Sequence, residues 1–403
     1  MTSPGSPFDA ALHHDPGDFS LVLGGPLYQL MRRAHVSGDA LELVQRRTVV
    51  IALLTWLPLL LLSALEGRAQ GTSVDVPFLM DLEVHVRFLV ALPLLVVAEL
   101  VVHRRLRPVA RQFLERELVP ENASQQLHRA LTAAFRLRNS IAAELLLIVF
   151  VYVVGVTLVW RQYTLLGAAT WYATPAPDGV ALTLGGVWYA YVSLPVFQFL
   201  LLRWLFRVFI WARFLWHVSR IELRLVPTHP DHVGGLGFLA TTAHAFIPLA
   251  AAHGAMLAAM LANRIFYLGA SLLDFRVVAG ALLGYVLCLA FGPLLVFTPR
   301  LAAVKREGLR EYGALAARYV RDFDAKWLRG GAAGDEPIVG SADIQSLADL
   351  GNSFALVKEM RLMPISRDAV LQLTIAMLAP LFPLVLTMMS LGDLVQAMFA
   401  LVF

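Results

Sequence analysis

His229, Asp231 and His232 place two imidazoles and a carboxylate within one turn's length of chain, and Gly234, Gly235 and Gly237 come directly after them. Three readings are open to this run. A glycine series that opens a helix can aim several N–H groups at an anion, with the helix dipole assisting. Two imidazoles and a carboxylate can ligate a metal ion, although three ligands so close in sequence rarely all face one ion. The plainest reading is a tight hinge. Pro227 and Pro230 force Val226 and His229 to be extended, Asp231 caps the next helical segment, and the glycines permit positive φ or close backbone approach. Such a hinge is a docking point, with Asp231 and the glycines anchoring a neighbouring element or an anion.

A second set of groups lies inside apolar segments. Arg203 and Arg207 are four residues apart, so both lie on one helical face. Trp204, Trp211 and Trp216 surround them, which fits snorkelling towards an interface with an aromatic belt. The alternative is a basic ring at a pore mouth, or a buried pairing with Glu99 or Glu144, which share the expected depth. Intramembrane charges are functional candidates by default. His244 and His253 occupy one apolar segment and read first as core imidazoles, then as a proton relay or ligand. His13, His14 and Asp15 read as part of a solvated tail rather than a metal site. No Gly-x-Ser-x-Gly, His-Glu-x-x-His, phosphate-binding loop or cysteine-based metal motif occurs. The expectation is therefore a non-enzyme with no cofactor.

The elements that position these groups are membrane helices. Of the 403 residues 58% are hydrophobic and only 15% charged, against roughly 45–50% and about 25% in soluble domains. The excess falls in blocks of about 20 residues, the length that crosses a bilayer. Seven spans are expected: 48–65, 88–102, 141–160, 187–217, 238–261, 277–297 and 369–389. The fourth is longer than a bilayer needs and should project beyond it. The first span reads as an uncleaved signal-anchor.

Of 33 Lys and Arg, five (Arg68, Arg87, Arg161, Arg264 and Arg276) fall on one side of this topology. Arg203 and Arg207 lie within a span, and the rest fall on the other side. The positive-inside rule then puts the N-terminus and the hinge in the cytoplasm and the C-terminus outside. The net charge of +4 flanks the apolar blocks, which argues against nucleic acid as a partner. The single cysteine, Cys288, lies inside a block, so no disulfide framework exists.

The chain thus divides into four regions: a cytoplasmic tail (1–47), six spans (48–298), a cytoplasmic helical hairpin (299–367), and the last span with an interfacial tail (368–403). Ser341 or Asp343 can cap the second hairpin helix, and Ser366 the last span. Pro58, Pro93, Pro195, Pro248, Pro293, Pro380 and Pro383 punctuate the spans, and the last pair predicts a kink. Small residues from Ala250 to Ala259 mark the fifth span as a central, closely packed helix or a subunit interface.

Two stretches, His229-Pro230-Asp231-His232-Val233-Gly234-Gly235-Leu236-Gly237-Phe238 and Asp343-Ile344-Gln345-Ser346-Leu347-Ala348-Asp349-Leu350-Gly351-Asn352-Ser353-Phe354, resemble a family of uncharacterised bacterial multi-spanning inner-membrane proteins. The resemblance covers about the last half of the chain. It implies a bacterial inner-membrane location and no particular activity. The leading expectation is a homo-oligomeric ion channel or small transporter whose first partner is the lipid bilayer. The alternatives are a membrane-embedded sensor or scaffold that binds a cytoplasmic protein, and a metal-dependent enzyme using His229, Asp231 and His232.

Overall fold

The computed structural model describes residues 20–22, 24, 25, 29, 44–71, 73–159, 169–176, 179–332, 337, 338 and 340–387. His13, His14, Asp15, the end of the third expected span at Trp160 and the tail 390–403 lie outside the described residues. The architecture is that of a multi-pass α-helical membrane protein. Its long helices are α1 (Val44–Leu65), α2 (Leu82–Glu115), α3 (Ser124–Arg138), α4 (Ile141–Phe150, continued as a π-helix over Val151–Val159) and α5 (Leu184–Ser219). They continue with α6 (Gly237–Leu268), α7 (Leu272–Leu328), α8 (Ala342–Glu359) and α9 (Arg367–Val385). Six helices are long and apolar enough to cross a membrane, or seven if the pair Glu121–Arg138 and Ile141–Gly155, bent by 46°, counts as one span.

Several boundaries differ from expectation. The first helix begins at Val44, so Arg46 and Arg47 lie inside it. The continuation of the sixth span into the first hairpin helix, by contrast, is as the sequence leads one to expect: the two are one element, α7, of 57 residues. The expected solvated tail is partly core: Leu21 and Val22 are buried against the bundle, as their apolar side chains demand. The loop after α4 holds two short antiparallel strands, β1 (Ala173–Ala176) and β2 (Gly179–Leu182). They plug one end of the bundle through Trp171, which is wholly buried.

Proline explains most of the irregular geometry. It lacks an N–H and clashes with the carbonyl four residues back, so the helix can widen or tighten there, although Pro58 is accommodated in regular α-helix. A π-turn over Arg87–Ala91 precedes Pro93, and another over Tyr189–Ser193 precedes Pro195. Helical 3-10 segments precede Pro248 (Gly237–Phe246) and contain Pro293 (Gly292–Phe297) and Pro380 (Ala379–Leu381). A carbonyl freed this way in a hydrocarbon setting needs another donor, and one such donor is present here. The Tyr152 hydroxyl donates to the Tyr191 carbonyl, four residues before Pro195, at 3.1 Å.

The small-residue stretch belongs to the packed centre. Ala250, Ala252, Gly254, Ala255 and Ala259 are buried in α6. Gly254 lies directly against the Met377 backbone of α9, where a Cβ would collide with the carbonyl. Gly254→Ala should therefore lower stability by about 1–3 kcal/mol or more. Gly280→Ala, which faces open space within a helix, should not lower it and should raise it by up to about 1 kcal/mol. Thermal unfolding of the detergent-solubilised protein compares the two.

Candidate functional site

The residues that could do chemistry resolve into one buried ion cluster and one self-contained hinge. The cluster gathers Glu99 from α2, Arg47 from α1, Arg203 and Arg207 from α5, and Glu144 from α4. Arg207 Nη1 lies 2.7 Å from Glu99 Oε1, and Arg203 Nη1 lies 3.3 Å from the same oxygen. Arg47 Nη2 pairs with Glu99 Oε2. Arg203 also reaches Glu144 Oε1 through Nη2 at 3.6 Å. All five side chains are buried. Arg203 and Arg207 therefore do not snorkel: they are 6% and 4% exposed and turn inward. The reason is local. Glu99 supplies a countercharge at their own depth, while buried Trp204 packs against Arg207 with its ring 5.0 Å from the guanidinium carbon. Trp204 Nε1 in turn donates to the Leu95 carbonyl at 2.9 Å.

Among these five groups positive charge exceeds negative by one. One carboxylate serving three guanidiniums is a strong electrostatic node, since taking each ion out of water costs several kcal/mol and mutual attraction must offset it. The N-terminal stretch closes over it. Arg138 Nη1 donates to the Ser20 carbonyl at 2.6 Å, the Gly25 N–H donates to Asn139 Oδ1 at 3.0 Å, and Ser20 Oγ lies 2.9 Å from His103 Nδ1. A Cβ on Gly25 would press on Glu144 Oε1 at 3.0 Å. Arg47 is not singled out by the sequence because it resembles an ordinary membrane-flanking charge. Its position at the start of a span, level with Glu99, is the signal that could have found it. His244 does not join the cluster: its Nδ1 lies 3.2 Å from the Thr241 carbonyl in its own helix.

At the hinge the glycine run behaves as a nest, but the chain fills it. Asp231 Oδ1 accepts from the Val233 and Gly235 N–H groups at 2.8 and 3.1 Å, and Oδ2 accepts from Gly237 N–H at 2.7 Å. The donors an external anion would need are thus taken by Asp231. His232, Gly234 and Gly235 adopt positive φ of 58°, 68° and 98°, which turns the N–H groups inward. A Cβ on Gly237 would meet the Asp231 carboxylate at 2.9 Å. The metal reading loses its geometry as well. His229 Nδ1 is 2.9 Å from Asp231 Oδ1, but His232 turns away to Glu359, 4.0 Å off. No group of three His, Cys, Asp or Glu side chains converges among the described residues.

The hinge does dock. The Arg361 N–H donates to the His232 carbonyl at 2.7 Å, and Arg361 Nη2 donates to the Asp231 carbonyl at 3.0 Å. Met360 is buried beside Gly234, and Pro227 packs on Gly308 of α7. Lys305 Nζ donates to the Met360 carbonyl at 2.7 Å. The hairpin is thereby fastened to the hinge where α8 ends. At its far tip, Asp343 Oδ2 accepts from Lys326 Nζ at 2.9 Å and Trp327 Nε1 at 3.0 Å. Those two donors hold the Asp343 carboxyl below its ordinary range.

Three further features have no distinctive signature in the sequence. Asp81 caps α2 and accepts from Trp171 Nε1 and Asn263 Nδ2, both at 2.9 Å. Arg87 pairs with Glu83 and the Tyr189 hydroxyl. A half-open cavity of about 380 Å³ runs from Glu83 and Arg87 past Leu95, Phe197, Leu201 and Leu282 to His253. No protein-family model, curated protein or solved structure matches the chain.

Both sites are open to substitution. Glu99→Gln should destabilise the fold by about 3–5 kcal/mol, because it leaves buried guanidiniums uncompensated; thermal unfolding measures it. Asp231 is drawn two ways: burial raises its pKa, and the three backbone N–H bonds and His229 lower it, with lowering the net result. A folded pKa below the unfolded one means stability fully present above the unfolded value of about 3.9. It is lost as pH falls through the lower folded value. Asp231→Asn, whose amide offers one acceptor oxygen in place of two, should cost about 1–3 kcal/mol at neutral pH. That deficit should shrink on acidification below about pH 4, and denaturant titrations at neutral and acid pH compare the two proteins.

Proposed function

We propose that the chain is an ion channel or small transporter, assembled as a homo-oligomer in the inner membrane of a bacterium. The observation that carries the reading is the Glu99 cluster. Five ionisable groups buried between spans are costly, and such groups mark ion and substrate pathways more often than they mark structural cores. The cavity of about 380 Å³ supports it, since it reaches Leu95, one helical turn before Glu99. The Lys and Arg distribution supports a cytoplasmic N-terminus, which would put the hinge and the α7–α8 hairpin on the inner face.

A second reading is favoured by the hairpin. An unbroken α7 of 57 residues is about 85 Å long at 1.5 Å per residue, and its companion α8 is fastened to the hinge through Arg361. That is the build of a membrane-embedded sensor or scaffold with a cytoplasmic protein partner.

Proteoliposome flux separates the two. The conduit reading expects the wild-type protein to dissipate an ion gradient. Arg203→Ala and Arg207→Ala should change the ratio of anion to cation flux several-fold. Absence of flux for all common small ions, together with a protein that co-purifies and is lost on deleting 335–361, would replace the first reading with the second.

A further inference from the structure

We propose that the cavity between α2, α5, α6 and α7 is a binding site for a lipophilic alcohol or phenol, a molecule with an elongated apolar body and one hydroxyl donor. Along α2 the cavity is lined by Glu83, Arg87 and Leu95. It begins at Glu83 and Arg87 and ends near Leu95, which is about 18 Å farther along α2 at 1.5 Å per residue. That length matches rather more than half of a hydrocarbon core of about 30 Å. Its walls are Phe197 and Leu201 on α5, Met256, Leu257 and Met260 on α6, and Val278 and Leu282 on α7. Val278 is exposed on an apolar helix, so the rim meets the bilayer and a membrane-dissolved molecule can enter sideways. The methionines suit an irregular apolar ligand, being unbranched and polarisable.

One group inside the cavity asks for a donor. His253 Nδ1 lies 2.7 Å from the Leu249 carbonyl. A carbonyl only accepts, so Nδ1 carries the hydrogen and Nε2 of the neutral ring is an acceptor. Nε2 occupies the edge of the ring turned away from the helix backbone, and it has no protein partner among the described residues. An acceptor left unmatched in an apolar setting is unfavourable, and a ligand hydroxyl satisfies it. Tyr285, with its ring 5.7 Å from the imidazole, steadies one side. At the other end the charges are already matched, because Arg87 pairs with Glu83 and Tyr189. The mouth therefore calls for no net charge on the ligand. A pure hydrocarbon chain would fill the volume but leave Nε2 unmatched; an anion would meet only Arg87, already paired with Glu83. A neutral molecule with one hydroxyl fits both ends.

The inference extends the conduit reading without resting on it, because binding is read with no flux measured. The test uses the full chain in nanodiscs, labelled by hexadecanol carrying a photoreactive diazirine on its chain. The expected result is crosslinking concentrated on peptides containing Met256, Met260 and Leu282. Unlabelled hexadecanol should compete, and hexadecane should compete about tenfold more weakly, the worth of one hydrogen bond of this kind. His253→Phe should abolish the difference between the two competitors. Equal competition by hexadecane and hexadecanol on the wild-type protein would overturn the proposal, as would crosslinks spread evenly over exposed faces such as Ile141–Val153. The wild-type competition needs no variant, so it decides the matter even where His253→Phe fails to fold. Specific labelling without ion flux would leave this site standing and remove the conduit.

Discussion

A charge inside an apolar bundle has to be matched on the spot, and the Glu99 carboxylate is where this constraint bears hardest. Three guanidiniums converge on its two oxygens, and one of them, Arg203, passes the linkage on to Glu144. Two unit charges about 3 Å apart attract by roughly 5 kcal/mol at an effective dielectric of about 20. Desolvation of each ion costs a comparable amount. The net gain is therefore small, while the loss of any one partner strands the others. The cluster's effect is on register: α1, α2, α4 and α5 can slide past one another only by breaking it. The same node that fixes the helices holds an uneven charge within them, which is why it is also the strongest functional candidate.

The ends of the bundle use a lighter form of the same device. Asp81 caps the start of α2 and ties it to Trp171 and Asn263. Asp231 gathers the N–H groups of its own glycine turn and presents the outward carbonyls to Arg361. Asp343 holds the tip of the hairpin through Lys326 and Trp327. In each case a carboxylate with several acceptor positions collects donors that would otherwise be orphaned. The hinge is thus complete in itself. Its glycines do what an anion site would do, with Asp231 as the resident anion, and its histidines stay peripheral.

The prolines act on the same footing. Each removes a backbone bond from a span; π- or 3-10 geometry lies beside Pro93, Pro195, Pro248, Pro293 and Pro380, while Pro58 sits within regular α-helix. Ser193 Oγ donates to the Thr55 carbonyl at 2.7 Å, joining α5 to α1 just before Pro195. Irregular backbone thus becomes a place where helices are stitched together.

Much of this was legible in the chain. Apolar blocks of span length, the flanking basic residues, the capping serines Ser341 and Ser366, and the glycine hinge all arise from local chemistry, which acts over one or two turns. The common depth of Arg203, Arg207, Glu99 and Glu144 came from counting residues along each span. What local chemistry leaves open is rotation. A helix fixes the height of a side chain but not the direction it faces, because facing depends on which neighbours pack where. Hence Arg203 and Arg207 could equally have snorkelled, Arg47 passed as a flanking charge, and Leu21 and Val22 passed as tail. The filling of the glycine nest by Asp231 depended on φ values set by contacts with Met360, Leu118 and Arg361, residues more than a hundred positions away in sequence. Sequence alone determined that this is a multi-spanning helical chain with charges at shared depths; the tertiary packing decided which charges meet, since a buried charge is stable only against a partner that folding brings to it.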